Sequence, residues 1–222
     1  MQDHHLPTDI ERSSLAIIRS ELFERGVALS PETEAVVLRC IHATADFDYA
    51  ANLYFSTGAV SRAVLALQNG TEIVTDTNMA LSGISGPALG KLGSGVHCFM
   101  SDPEIAEKAV LNGTTRAVAS MDSAAERFPF AIRAVGNAPT ALFRIAEQIE
   151  GGLRPALIVA APVGFVNVVE AKERIVSVCG EYNVPCVAAM GRKGGSTVAA
   201  AICNALLYTA AEMLDPSARG WN

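Results

Sequence analysis

Aromatic residues are scarce in this chain, and charge is thin. Phe, Trp and Tyr together make up 6% of the 222 residues, and Asp, Glu, Lys and Arg only 18%. Hydrophobic residues reach 50%, much of it Ala and Val, so the core is expected to be built from small side chains. That composition suits helices packed closely on a buried parallel sheet. No Lys/Arg-rich block occurs, and a net charge of −6 repels polyanions, which argues against nucleic-acid binding. An anionic small ligand would need a local cluster of cations to overcome that field. The five cysteines form no C-x-x-C pair and are odd in number, so neither a disulfide framework nor a zinc site is expected. They read as buried thiols in a reducing cytosol. The opening stretch MQDHHLPTDIERSS has no apolar signal-peptide core. Residues 1–10 are expected to be a loosely ordered tail, with His4 and His5 as tail residues. The longest uncharged run, Gly194 to Ala211, just reaches membrane-spanning length. It opens with GGST, contains Asn204 and is mostly Ala, so a buried helix is the expectation, and no membrane partner is expected.

What is present is an alternation of strand-like and helical runs, with no linker or repeat to divide residues 1–222 into more than one domain. The first third is mainly helical. ERSSLAIIRSELFERG places Leu15, Ile18 and Leu22 at helical spacing and stops at Gly26. In SPETEAVVLRCIHATAD, Ser30 is placed to cap a helix that has Pro31 at its first position. A further helix is expected over Ser56–Gln68. EIVT (72–75) and VHCFM (96–100) read as strands, and the glycine-rich segment between them as a loop. Helices are expected from Asp102-Pro103 to Gly113, over Arg116–Glu126 behind a Thr114 or Thr115 cap, and at 140–150 and 167–179. AIRAVG (131–136), ALIVAAPVG (156–164) and VPCVAA (184–189) are strands, and a last helix runs from Gly195 or Ser196 to Met213. The fold class is α/β: a mostly parallel sheet with helices on both faces and a helical N-terminal segment.

Ligands of parallel α/β sheets gather at the carboxyl ends of the strands. Three such ends carry glycine and lead into a helix N-terminus: VGNAPT, APVGFVN and MGRKGGST. Free N–H groups and the helix dipole favour an anion there, and Arg192 and Lys193 add charge. A Walker loop is excluded because the lysine of GRKGGST precedes the glycine pair, and no dinucleotide fingerprint follows a strand. Carboxylates fit as well as phosphates.

IHATADFDYA carries the candidate chemistry. His42 lies near a helix C-terminus, with Asp46 and Asp48 just after it. The dipole and the carboxylates are expected to raise its pKa and make it a general acid. His97, inside VHCFM, reads as structural. No His/Cys/carboxylate cluster has metal-ligand spacing.

The pieces ERSSLAIIRSE (11–21), IHATADFDY (41–49), TDTNM (75–79), GNAPTALF (136–143), PVGFVN (162–167) and VPCVAAMGRKGGSTVAAAICNALL (184–207) span nearly the whole chain. In these pieces and their order the sequence resembles the precorrin-8X methylmutase family of cobalamin biosynthesis. The resemblance implies an isomerase that moves a methyl group from C-11 to C-12 of a tetrapyrrole. The conversion would be precorrin-8X to hydrogenobyrinate, or cobalt-precorrin-8 to cobyrinate. It implies no cofactor; any cobalt would arrive within the substrate. It implies an α/β homodimer, cytoplasmic, with its sites near the interface and a possible hand-over of product to the next corrin-pathway enzyme. His42 would protonate, or hydrogen-bond to, a ring nitrogen, and Asp46 would tune it. Arg12, Ser13, Ser85 and Arg116 fall where the family contacts substrate. Asn137, Thr140, Gly191, Arg192, Lys193, Gly194, Gly195 and Ser196 complete the expected carboxylate-binding loops. Two alternatives stay open: a non-catalytic tetrapyrrole carrier, and an α/β enzyme acting on a small carboxylate through a Lys193 Schiff base. The last helix, apolar on more than one face, is read as support for a dimer.

Overall fold

The apolar run that begins at Ala156 supplies the centre of a six-stranded sheet. The computed structural model describes residues 6–219; His4 and His5 lie outside the described residues. In chain order the elements are α1 (Pro7–Glu24), α2 (Glu34–Thr44), α3 (Tyr49–Asn52), β1 (Leu53–Phe55), α4 (Ala59–Gln68), β2 (Ile73–Thr75), α5 (Asn78–Gly83), α6 (Gly86–Leu92) and β3 (Val96–His97). There follow α7 (Pro103–Leu111), α8 (Arg116–Arg127), β4 (Ile132–Val135), α9 (Pro139–Glu150), β5 (Ile158–Ala160), α10 (Val168–Glu181), β6 (Cys186–Ala189), α11 (Ser196–Ala210) and a final 3-10 turn (Pro216–Arg219).

The sheet order is β1-β6-β5-β4-β2-β3, parallel throughout except for β1, which runs antiparallel to β6. The expected α/β class, with helices on both faces, is what forms. Alternate residues of one strand enter different cores. Ile132 and Ala134 join the core that holds α2, α4 and α11, whereas Ala131 and Val135 join the core that holds α7 to α10. From β2 the chain steps one way to β3, and from β4 through β5 to β6 it steps the other way. Right-handed crossovers in opposite directions need helices on opposite faces. The strand order therefore switches between β2 and β4, the place where such sheets usually open a ligand crevice.

Several elements differ from expectation, among them the strand expected over 96–100, of which only Val96–His97 pairs. Helix α1 begins at Pro7, so residues 7–10 are helical and not part of a tail. Helix α2 begins at Glu34, not Pro31: Thr33 and Glu34 donate their N–H groups to the Ser30 carbonyl at 3.0 and 2.9 Å, making a turn before the helix. The Ser30 hydroxyl caps nothing. The glycine-rich segment after β2 is not a loop but two short helices. Thr77 caps α5 by accepting from Ala80 N at 3.0 Å, and Ser85 caps α6 by accepting from Ala88 N at 3.4 Å. There, capping residues outweigh the glycine content. The strand at 53–55 was not expected; it sits ahead of α4, which starts at Ala59. The last helix stops at Ala210, short of Met213. The Thr115 cap of α8 is found as expected, with Val118 N donating at 3.2 Å.

Helix α11 is apolar on more than one face because the chain itself covers more than one face. It packs on α2, α4, α5, β4 and β5, and Val198, Ile202, Leu206 and Leu207 are all buried. Its second apolar face is thus used within one copy and does not support a dimer.

Candidate active site

The three glycine-bearing strand ends lie side by side, because β4, β5 and β6 are neighbours. They interlock through glycines. Gly195 N donates to Ala161 O at 2.7 Å. A Cβ on Gly194 would collide with the Ala161 carbonyl and lie 2.6 Å from that of Pro162; one on Gly136 would lie 2.7 Å from Ser196 Cα. Only glycine permits that approach.

The loop after β4 does not present its N–H groups to solvent. Asp76, fully buried just beyond β2, accepts from Gly136 N at 2.7 Å through Oδ1, and from Asn137 N at 2.9 Å and Ala138 N at 2.7 Å through Oδ2. Burial pushes its carboxyl up, against the opposing pull of these three donors. The anion expected at this loop is therefore supplied by the protein, at the strand-order switch. Asn137 and Thr140 remain exposed, and the Thr140 hydroxyl meets that of Thr115 at 3.2 Å, beside Arg116. Arg116 is exposed and pairs with no described residue.

The loop after β6 is more open. Ser196 Oγ lies 2.8 Å from Thr77 Oγ1. Arg192 is exposed, its guanidinium 5.5 Å from the Phe165 ring centroid, and Phe165 is itself 83% exposed. Lys193 is already engaged: Nζ contacts Asp46 Oδ2 and Asp48 Oδ2, each at 2.6 Å. Those hydrogen bonds raise the Lys193 pKa, which leaves it an ammonium and unsuited to Schiff-base chemistry. Asp46 thus pairs with Lys193, and that hydrogen bond holds its carboxyl below the ordinary range. The reversed strand β1 makes this contact possible, since residues before an antiparallel strand arrive at the carboxyl end of its neighbour. Leu53 pairs with Ala189, and Met190 N donates to Asn52 O at 3.1 Å.

His42 occupies the last turn of α2, three residues ahead of Ala45, whose left-handed φ of 54° turns the chain toward Asp46. It is exposed, and its ring hydrogen-bonds to no described residue. Its neighbourhood is cationic. Glu11 is buried and accepts from Arg219 Nη1 at 2.6 and 2.8 Å and from Arg39 at 2.7 Å. Both guanidiniums lie over the Tyr208 ring, at 3.9 Å for Arg219 and 5.1 Å for Arg39. Partial burial and then Arg39 lower the His42 pKa; Glu11 opposes them and Arg219 adds to the lowering. The expected upward shift is overturned: burial and the charge of Arg39 outweigh Glu11, and Asp46 pairs with Lys193 instead.

The remaining expected residues divide. Arg12 pairs with Asp215 at 2.6 Å, in the Glu11 region and not at the loop rim. Ser13 is half-buried beside it in sequence. Ser85 donates its N–H to Asn204 Oδ1 at 2.8 Å, and Asn204 Nδ2 donates to Gly83 O at 2.8 Å, so α11 holds this segment. Sequence reasoning missed Glu11, Arg39, Asp76 and Thr77. The available signal for Arg39 was its place one turn before His42. Among the described residues, no group of three or more His, Cys, Asp or Glu side chains could hold a metal ion. His97 is structural: Nε2 meets Glu72 at 2.9 Å and the ring stacks on Phe128 at 4.3 Å.

The profile of the precorrin-8X methylmutase family matches residues 9–209. The chain belongs to that family. It is 43% identical to the cobalt-precorrin-8 methylmutase of Salmonella typhimurium, covering 91% of this chain and 95% of that protein. It is 42% identical to the enzyme of that name from Leptospira interrogans, covering 91% and 94%. The crystal structure of precorrin-8X methylmutase from Thermus thermophilus superimposes with a TM-score of 0.82 at 40% identity, covering 91% of this chain and 98% of that one. As a member of the methylmutase family, the chain is an isomerase of cobalamin biosynthesis. No helix among the described residues is long and apolar enough to cross a membrane.

Proposed function

We propose that this methylmutase moves a methyl group from C-11 to C-12 of precorrin-8X or cobalt-precorrin-8, with His42 donating a proton to a ring nitrogen. Protonation there draws electron density from the macrocycle and eases migration. The observation that carries this reading is the unengaged imidazole of His42, exposed on the stretch that Asp46 and Lys193 tie to the loop rim. Its lowered pKa makes it a stronger acid that is less populated at neutral pH. Arg192, Arg116 and the 191–196 turn receive ring carboxylates. The 136–140 loop contributes its exposed side chains Asn137 and Thr140, not its backbone. The chemistry uses no cofactor of the protein's own, and cobalt, where present, comes with the substrate. We assign the enzyme to the cytoplasm as a homodimer that passes its product to the next corrin-pathway enzyme.

The test is turnover of precorrin-8X and cobalt-precorrin-8, followed by visible absorption. Wild type should turn over at least one of them, and His42→Ala should lose about 10²- to 10⁴-fold in kcat. Wild-type kcat should climb as pH falls through and below 6.5, the ordinary histidine value, because only the protonated fraction reacts. His42→Ala at wild-type rate would remove its role, and light scattering in solution checks the dimer.

A further inference from the structure

Lys172 lies on α10, fully buried, and points its ammonium into the turn after β6. Nζ donates to Gly191 O at 2.9 Å and to Lys193 O at 2.7 Å. The two carbonyls flank Arg192, so one amine grips the turn on either side of that guanidinium. No carboxylate among the described residues pairs with it. The charged and titratable groups around it are few. Glu170 and Glu173 on its own helix are exposed, the turn carries Arg192 and Lys193, and the Cys179 and Cys186 thiols pair with each other at the other end of α10 and β6. Asp46 and Asp48, across the turn, are committed to Lys193.

A buried, unpaired ammonium is a costly way to satisfy two carbonyls that water or a neutral amide could satisfy. What it adds is a positive charge beneath a turn that must hold an anion. We propose that Lys172 is a positioning residue for substrate binding, fixing the 191–193 turn and placing a charge under it, so that Arg192 meets a substrate carboxylate already oriented. The inference rests on the reading that this turn binds ring carboxylates.

Two consequences run in opposite directions. Burial lowers the Lys172 pKa from 10.5 to about 8. As pH rises through about 8 the charge is lost, so KM should rise there, while kcat, which follows the protonated fraction of His42, keeps falling without a break near pH 8. Between about 8 and 10.5 the unfolded chain binds the extra proton, so Lys172 makes the fold more stable with rising pH over that window. A merely structural lysine would move binding and stability together.

The experiment is steady-state kinetics of wild type, Lys172→Met and Lys172→Gln across this range, with melting curves alongside. Wild-type KM should rise several-fold from about pH 7 to about pH 9, while kcat falls by about tenfold per pH unit with the protonated fraction of His42 and shows no added break near pH 8. Lys172→Met should carry a KM about tenfold higher, as for loss of a charge-assisted contact, with no pH dependence in this window. Lys172→Gln serves if the Met variant does not fold, and the wild-type profile needs no variant. A flat wild-type KM, an unchanged KM in the variant, or a joint collapse of kcat and melting temperature in both variants at about pH 7 would each overturn the proposal. If wild type turns over neither substrate, the function reading falls, and absorption titration with hydrogenobyrinate tests Lys172 by Kd over the same pH range. Failure to bind it at all removes both.

Discussion

The loops after β4 and β6 are alike in sequence and opposite in what lies beneath them. GNAPT rests on a buried carboxylate, and GRKGGST rests on a buried ammonium. Asp76 consumes three N–H groups of the first loop from inside, whereas Lys172 consumes two carbonyls of the second and Arg192 stays exposed on the outside. A glycine-rich turn before a helix offers donors by geometry. Whether a ligand can use them depends on the interior charge that reached them first. The N–H groups at the strand-order switch between β2 and β4 are taken up in this way, and under the proposed function the anion-receiving role falls to the turn after β6.

The largest test of this contrast is Asp76→Ala. It leaves three inward donors without an acceptor and should lower unfolding free energy by about 3–5 kcal/mol, measured by urea denaturation. Asp76→Asn should cost less, about 1–3 kcal/mol, since the amide oxygen keeps part of the set. A tolerated Asp76→Ala would mean the loop is not held from within. Next comes Gly194→Ala, whose methyl would press on the Ala161 and Pro162 carbonyls at a φ of +156°. It should cost about 1–3 kcal/mol and raise KM, because it pushes the β6 turn off its neighbour; a change in stability alone would uncouple the turn from binding. The smallest effect belongs to Asp46→Asn combined with Asp48→Asn. These pairs are solvent-accessible, so the denaturation midpoint should stay in place. KM should fall slightly as Lys193 turns to the substrate. A clear rise would show that the aspartates aim Lys193 and do not compete for it.

Regular elements were legible where local chemistry decides them. The Thr115 cap, the apolar run at β5 and the Pro-Thr start of α9 need only neighbouring residues. Strand β1, three residues long, carries no periodic signal and exists because β6 offers it an edge. His42 was legible as a candidate, but its electrostatics were not. The nearest carboxylates in sequence suggested a raised pKa, and folding replaced their pull with partial burial and then the charge of Arg39. Asp76 was hidden because its partners lie about 60 residues away. Lys172 was hidden because a lysine on a helix normally reads as a solvated side chain, and only burial reveals it.

The reversed edge strand also sets an order of events in time. The contact between Asp46 and Lys193 joins residues 147 apart in the chain, and the segment with His42 is synthesised long before β6 exists. Closing so long a stretch is entropically slow compared with local helix formation. The segment that carries His42 is therefore tied to the β6 turn only once the last third of the chain has been made, and under the proposed function the site is incomplete until then.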